Sequence, residues 1–365
     1  MNKKIKILIT IGGTGGHVFP GYNLAKHLIE KNYDARLVSD LRGYRYIERV
    51  KGLQVSLLPS SPINNKNFIT KSYSTLFVLY SIFRSFLFLI FNRPKIIFGM
   101  GGYASFPVCI AASLLGIKFI IYENNLIIGK TNKSLLPFAE KMIVAFKELE
   151  GVPNKYQYKV IEIGNIIKKE IISFSENYSK NNFKSKIAIL VLGGSQAAKI
   201  FAEILPEIFK KCSKQGINLK IYQHCLSTQN DNLKKFYEKN NIDYEIFNFS
   251  NNLENYFSKT NLVITRSGSS VLAELTNANL PFISVPLPTS AENHQHKNAI
   301  YYQNKNFSFL IEEKDLKVKL IYLIKEIYEN GKILDKLIQN QRQYSDKNVY
   351  KNINQVLENM IYEKN

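Results

Sequence analysis

Ile5-Lys6-Ile7-Leu8-Ile9-Thr10-Ile11-Gly12-Gly13-Thr14-Gly15-Gly16-His17 decides the architecture. An apolar run of strand length breaks into a glycine turn, and helical spacing follows from Asn23 to Ile29. The glycines therefore sit at a strand-to-helix corner. Such corners take phosphate, because glycine lets the backbone approach an anion while the N–H groups and positive dipole end of the helix attract it. The spacing is not the G-x-G-x-x-G of dinucleotide-binding folds, since Val18 stands where the last glycine would fall.

The same grammar returns in Ile187-Ala188-Ile189-Leu190-Val191-Leu192-Gly193-Gly194-Ser195-Gln196, followed by a helical pattern from Ala197 to Phe209. Two such units so far apart predict an α/β protein of two Rossmann-like domains. Gly99-Met100-Gly101-Gly102-Tyr103 follows the apolar Ile96-Ile97-Phe98, and Arg266-Ser267-Gly268-Ser269 follows Leu262-Val263-Ile264. Each loop alone reads equally well as a tight turn without a ligand. Together, four loops at strand C-termini predict one crevice, the usual binding site of open α/β sheets.

Further strands are expected at 35–38, 119–122 and 142–145 in the first half, and at 219–222, 244–247 and 282–285 in the second. This alternation with helices argues for parallel sheets. The domain boundary is expected near Gly164, giving domains 1–164 and 165–344, with a polar stretch from Ser173 to Lys186 just beyond it. The end from Lys317 to Asn365 reads as helices packed back across the domains, residues 345–365 completing the first.

With 365 residues, 45% of them hydrophobic, the chain can build two proper cores. Its net charge of +20 implies an anionic partner, such as nucleic acid, anionic lipid or a phosphorylated substrate, or else a lysine-rich bias in base composition. Cys109, Cys212 and Cys225 form no C-x-x-C pair, which suits a reduced cytosolic compartment. Lys3 and Lys4 before the first apolar run imitate a signal peptide, but the run is short and no small-residue cleavage site follows.

Leu76 to Phe91 is the one segment that imitates a membrane span. At ~1.5 Å per residue it covers roughly 24 Å, short of the ~30 Å hydrocarbon core, and Arg84 sits at its middle. Either it is a buried helix, or it lays an apolar face on the lipid interface beside Lys66, Lys71, Arg84, Arg93 and Lys95.

The chain has no H-E-x-x-H, no Cys/His cluster, no D-x-D and no G-x-x-x-x-G-K-[ST]. These absences argue against a zinc site, a metal clamped on a nucleotide diphosphate and a P-loop NTPase. Asp40 closes the second strand, where a nicotinamide dinucleotide enzyme keeps its ribose acid, but the glycine spacing is wrong. Gly193-Gly194-Ser195-Gln196-Ala197 is one residue from the nucleophile elbow of serine hydrolases, with Asp231 or Asp243 and then His294 or His296 following in that order. The other glycine corners would then have no role, so a phosphate bound at Ser195 is preferred.

Gly12-Gly13-Thr14-Gly15-Gly16-His17-Val18-Phe19-Pro20, Gly99-Met100-Gly101-Gly102-Tyr103-Ala104-Ser105, Gly193-Gly194-Ser195-Gln196 and Arg266-Ser267-Gly268, in this order, resemble the MurG family. The resemblance runs from Ile5 to about Ile311. It implies the GT-B fold, two Rossmann-like domains around a cleft, and transfer of N-acetylglucosamine from UDP-N-acetylglucosamine to the undecaprenyl-pyrophosphoryl muramyl pentapeptide, lipid I, giving lipid II for peptidoglycan. No metal or cofactor is implied. The implied place is peripheral, at an anionic membrane surface on the cytoplasmic face of the bacterial inner membrane, with cell-wall synthesis proteins rather than nucleic acid as neighbours. A non-catalytic binder of UDP-sugar or anionic lipid with the same fold is the alternative.

Carried over by residue, the resemblance puts Thr14, Gly15, Gly16 and His17 toward the acceptor diphosphate and sugar, and Asn125 near the donor sugar. It puts Ser195 on the donor diphosphate, Ser269, Ser270 and Glu274 along the nucleotide with Glu274 on the ribose, and Gln295 on the sugar hydroxyls. His17, an imidazole titrating near neutrality in the acceptor loop, is the candidate general base, or else it closes the loop by hydrogen bonds. The family's His-Glu-Gln-Asn-Gly is Tyr122-Glu123-Asn124-Asn125-Leu126 here, and its Gly-Asn-Pro-Val-Arg is Gly164 to Lys168. Lys168 keeps the charge of a phosphate-binding arginine but not its bidentate fork. The loop from Pro288 to His296 is longer than usual, so His294 competes with Gln295 for the sugar.

Overall fold

Every expected strand forms, and all pair in parallel. The computed structural model describes residues 4–48, 52–62, 67–177, 186–193, 195–248, 250 and 253–362. It divides into two units, Met1–Lys168 with Asp346–Asn365, and Lys169–Ser345. The first carries β1 (Lys6–Ile11), β2 (Asp34–Ser39), β3 (Val55–Leu57), β4 (Ile96–Gly99), β5 (Phe119–Glu123), β6 (Lys141–Val144) and β7 (Val160–Glu162), in the order β3-β2-β1-β4-β5-β6-β7. The second carries β8 (Ile187–Leu192), β9 (Leu219–His224), β10 (Asp243–Phe247), β11 (Leu262–Thr265), β12 (Phe282–Ser284) and β13 (Ser308–Leu310), in the order β10-β9-β8-β11-β12-β13.

The central strands are covered on both faces, which is why they read as unbroken apolar runs rather than alternating ones: Ile7, Leu8 and Ile9 of β1 are at most 1% exposed. In each sheet chain order reverses beside the first strand, between β1 and β4 and between β8 and β11. Loops leaving such a switch point diverge to opposite faces and open a crevice at the strand C-termini. The four glycine motifs are the loops that leave these four strands.

The first unit extends through Lys168, four residues past the Gly164 turn. Gly164 has φ +94°, and a Cβ there would stand 2.6 Å from Asp346 Oδ1. That carboxylate accepts from Asn165 N (2.8 Å), the Tyr122 hydroxyl accepts from Ile166 N (3.1 Å), and the Tyr350 hydroxyl donates to Ile167 O (2.6 Å). The terminal helix Val349–Tyr362 buries Val349, Tyr350, Ile353, Leu357 and Met360 on one stripe, and its Asn354 meets His27 Nε2 at 2.8 Å. The second unit's core joins Phe201, Leu205 and Phe209 of the helix Ser195–Lys214 to Leu320 and Ile324 of the helix Leu316–Glu329.

The long apolar segment forms the helix Phe68–Phe91, 24 residues begun by an Asn67–Thr70 capping box. At ~1.5 Å per residue it is about 36 Å long, so the objection from length does not hold. By length and composition it is the one helix among the described residues able to cross a membrane. Its sides are inverted: Ser74, Ser81, Ser85 and Leu89 are buried, while Leu76, Leu79, Phe83 and Phe91 are 57–83% exposed. The buried hydroxyls are satisfied within the helix, Ser81 and Ser85 each bonding a carbonyl four residues back at 2.8 Å. Leu89 joins the first unit's core, so one side of this helix belongs to the fold. Lys66 lies outside the described residues.

Candidate active site

In the first unit the glycine loops after β1 and β4 meet. Gly13 has φ +75°, and a Cβ on Gly12 would stand 2.3 Å from Ala104 Cβ and 2.6 Å from Asp40 Oδ1. Asp40, 5% exposed just past β2, accepts through Oδ1 from Gly13 N (3.2 Å) and Gly43 N (2.8 Å). The carboxylate thus holds the loop from behind. It is not offered to a ribose, which removes the dinucleotide reading at the residue that suggested it.

The helix Gly15–Glu30 begins inside the motif with Thr14 as N-cap, exposed and making no side-chain capping bond. Its dipole end is therefore not compensated by its own cap. Gly15 and Gly16 are half-buried in the first turn, and His17 follows. The half-buried imidazole lies along the second motif: a Cβ on Gly101 would stand 3.0 Å from Nδ1, and one on Gly102 2.9 Å from Cδ2. Both glycines have left-handed backbone, φ +88° and +68°. The second motif is glycine because the chain must turn this way and leave room for the His17 ring.

The loop after β5 completes this end of the sheet. Glu123, 2% exposed, accepts at Oε1 from Asn125 N (3.1 Å) and Nδ2 (3.0 Å), and at Oε2 from Gly129 N and Asn132 Nδ2, both 2.9 Å. Four N–H donors thus balance a buried carboxylate. Asn124 Nδ2 donates to Gly16 O (3.0 Å), joining this loop to the first motif. Asn125 also gives Nδ2 to Asn124 Oδ1 (3.1 Å), so its NH2 is committed inside the loop and a sugar would meet an acceptor. The Tyr122 phenol is driven up in pKa by burial and stays neutral. Lys168 is half-buried at the end of the pinned 165–167 segment.

In the second unit the helix Ser195–Lys214 opens at the loop after β8, while Gly194 and the Ser195 side chain lie outside the described residues. After β11, Arg266 is 8% exposed and committed to structure. Its Nη1 donates to Val285 O (3.2 Å) and Pro286 O (3.3 Å), Nη2 pairs with Glu313, and the guanidinium lies 5.1 Å from the Phe201 ring centre. Asn298 Nδ2 holds Ser267 O at 3.2 Å. These locks position Gly268, the N-cap of the helix Ser269–Asn277, which makes no side-chain capping bond. Ser269 is buried, while Ser270 and Glu274 are half-buried one turn apart on the same helix face. Gln295 accepts at Oε1 from Leu287 N (3.0 Å), which leaves its NH2 as the group suited to a hydroxyl oxygen.

Asp243, His294 and His296, the residues offered as partners of a hydrolase serine, are engaged elsewhere. Asp243 begins β10, at the strand end opposite Ser195, paired with Lys186 and Lys220. His296 Nε2 pairs with Glu312 (2.9 Å), and His294 Nδ1 is 2.6 Å from Ala291 O. Sequence reasoning missed the organising roles of Glu123, Asn124, Asn132 and Arg266. The signal was there for Glu123: a carboxylate that ends an otherwise apolar buried strand must be answered by donors.

Residues 7–144 match the glycosyltransferase family 28 N-terminal domain, and residues 188–356 its C-terminal domain. A UDP-N-acetylglucosamine--N-acetylmuramyl-(pentapeptide) pyrophosphoryl-undecaprenol N-acetylglucosamine transferase of Pelagibacter ubique is 34% identical over 364 residues, covering 100% of both chains. Its counterpart in Rickettsia bellii is 32% identical, covering 92% of this chain and 94% of its own. Among solved structures, Acinetobacter baumannii MurG superposes with TM-score 0.75 at 21% identity, over 97% of this chain and 99% of its own. S. aureus MnaA, solved with UDP, gives TM-score 0.70 at 15% identity over 99% of each chain. The full-length identity, carried by two parallel sheets of GT-B type with a pair of glycine loops at each switch point, makes this chain a member of the MurG family.

Proposed function

We propose that the chain transfers N-acetylglucosamine from UDP-N-acetylglucosamine to the C4 hydroxyl of the muramyl unit of lipid I, with inversion and without a metal. The observation that carries this is the full-length identity to the Pelagibacter ubique transferase, together with the paired glycine loops at the two switch points. The acceptor diphosphate lies at Thr14, Gly15 and Gly16, and Lys168 is a phosphate contact. Asn125 approaches the donor sugar. Ser195 takes the donor diphosphate, Ser269 and Ser270 follow the nucleotide, Glu274 binds the ribose hydroxyls and Gln295 the sugar. His17 accepts the C4 proton as the C4 oxygen bonds to the anomeric carbon. The bond from that carbon to the diphosphate breaks, and UDP leaves with the electron pair. Helix N-termini and backbone N–H groups fixed in advance stabilise the charge that develops on the diphosphate.

The acceptor's polyprenyl chain must remain in the bilayer, so the enzyme works peripherally at the cytoplasmic face. The inverted helix Phe68–Phe91 supports this: its large apolar side chains face outward, Lys71 and Arg84 are exposed beside them, and Arg93 and Lys95 follow its end. That pattern suits a helix lying on an anionic surface. Purified protein should release UDP from UDP-N-acetylglucosamine only when a short-chain lipid I analogue is added. A non-catalytic binder would bind donor and release none.

A further inference from the structure

We infer that His224 supplies a positive charge to the second unit's diphosphate site from behind the Gly193 loop, neutral when the donor is absent and protonated when a diphosphate sits at that loop. The inference rests on the reading of that loop as the donor diphosphate site. His224 is the last residue of β9, which pairs along β8 up to Val191↔Gln223, so the imidazole stands beside the start of the glycine loop. Its Nε2 is 2.9 Å from the carbonyl of Asn248, and its ring packs 5.7 Å from that of Phe247. A carbonyl can only accept, so Nε2 carries the hydrogen and a neutral ring leaves Nδ1 as a lone pair. Nδ1 is buried and completes no hydrogen bond among the described residues, and the backbone group acting on it is the carbonyl of Gly193.

Two acceptors thus face each other where one proton would make a bond. The ring is satisfied by its two carbonyl neighbours only as the imidazolium. What opposes that charge is burial, which lowers the pKa of His224 more than the Asn248 and Gly193 carbonyls raise it. No carboxylate or ammonium of a described residue acts on it, and the neighbouring Cys225 thiol is raised by burial and stays neutral. A diphosphate at the loop supplies the missing countercharge and tips the balance toward the proton. In return the imidazolium gives the donor site a cation, which Arg266 cannot be, since it is committed to Glu313 and two carbonyls.

The test is calorimetric titration of UDP-N-acetylglucosamine into the full-length protein, in two buffers of different ionisation enthalpy, from about pH 5.5 to 8.5 around the ordinary imidazole pKa near 6.5. The sugar nucleotide is used because it lacks the terminal phosphate proton, with pKa about 6 in a monoester, that would add its own titration. Wild-type protein should take up a proton on binding, and donor affinity should fall by up to about tenfold per pH unit as pH rises between the free and bound pKa values. His224→Gln keeps a donor for Asn248 but cannot be charged, and should bind more weakly with no proton uptake and a flat pH profile. Binding by wild type without proton uptake, or equal uptake in His224→Gln, overturns the inference while leaving the donor site in place. Absence of any binding overturns the donor reading and this inference with it.

Discussion

The imidazole of His17 rests on the backbone of Gly102, so closely that a Cβ on Gly102 would stand 2.9 Å from its Cδ2. Gly102→Ala must therefore displace the ring, and it must also hold φ +68°, a strain of about 1 kcal/mol or more for a residue with a Cβ. If His17 receives the acceptor proton, turnover should fall about 10²-fold, the cost of misplacing a catalytic group by about 1 Å. UDP affinity should not change, because the residues proposed for UDP itself, Ser195, Ser269, Ser270 and Glu274, are on the other unit. Steady-state rates beside UDP calorimetry check both halves, and a variant with unchanged turnover would free His17 from any need of exact placement.

Direct removal is the sharper form of the same question. His17→Ala should lower kcat about 10²- to 10⁴-fold, the usual worth of a general base, with the protein still folded. A loss confined to thermal stability, with kcat per folded molecule unchanged, would make His17 a loop-closing residue instead.

Glu274→Ala should weaken binding of UDP far more than binding of the acceptor, since the carboxylate is one turn from Ser270 on the helix that begins at the β11 switch loop. Loss of a charged hydrogen-bonding partner is worth about 1.5–3 kcal/mol, or roughly 10- to 150-fold in affinity. Unchanged UDP calorimetry would remove Glu274 from the ribose.

Glu123→Gln replaces one acceptor oxygen by an NH2 facing N–H donors that are already in place at 2.9–3.1 Å. Each oxygen accepts two of these donors, so two N–H groups lose that acceptor, at a cost of about 1–3 kcal/mol for each one left buried and unmatched. The loop of Asn124 and Asn125 should loosen with it, so Tm and turnover should fall together. Equal Tm in variant and wild type would show that the four donors find other partners.

What the sequence made legible follows from burial. A central parallel strand covered on both faces must be apolar along its whole length, so β1, β4, β8 and β11 announce themselves, and the glycine clusters behind them mark the switch points. The edge strands β3, β7 and β13 are three residues each and only partly buried, so no apolar run marks them, whereas the equally short β12 is buried throughout and reads clearly. Asp40 shows the limit for site residues. Its position after β2 suits a ribose acid, but which way it faces depends on Gly13 and Gly43 arriving from either side, a tertiary fact with no local signature. For Arg266 the limit is the same: its partners Val285, Pro286 and Glu313 come from the ends of later elements.

The helix Phe68–Phe91 separates surface from core within one element, and so allows a paired test. Leu76, Leu79 and Phe83 are 66%, 57% and 58% exposed, while Leu89 is 0% exposed and joined to the core of its unit. Replacing Leu76, Leu79 and Phe83 by glutamine should leave Tm nearly unchanged and reduce cosedimentation with anionic vesicles, because the lost contacts exist only against lipid. Leu89→Ala should do the reverse, costing about 2–5 kcal/mol of stability with vesicle binding intact wherever the protein remains folded. Salt supplies the third arm. Lys71 and Arg84 act through water over a Debye length of about 8–10 Å, so their share of binding should weaken as ionic strength rises, while the apolar share persists. Vesicle binding that ignores the glutamine substitutions would move the membrane contact to another face of the protein.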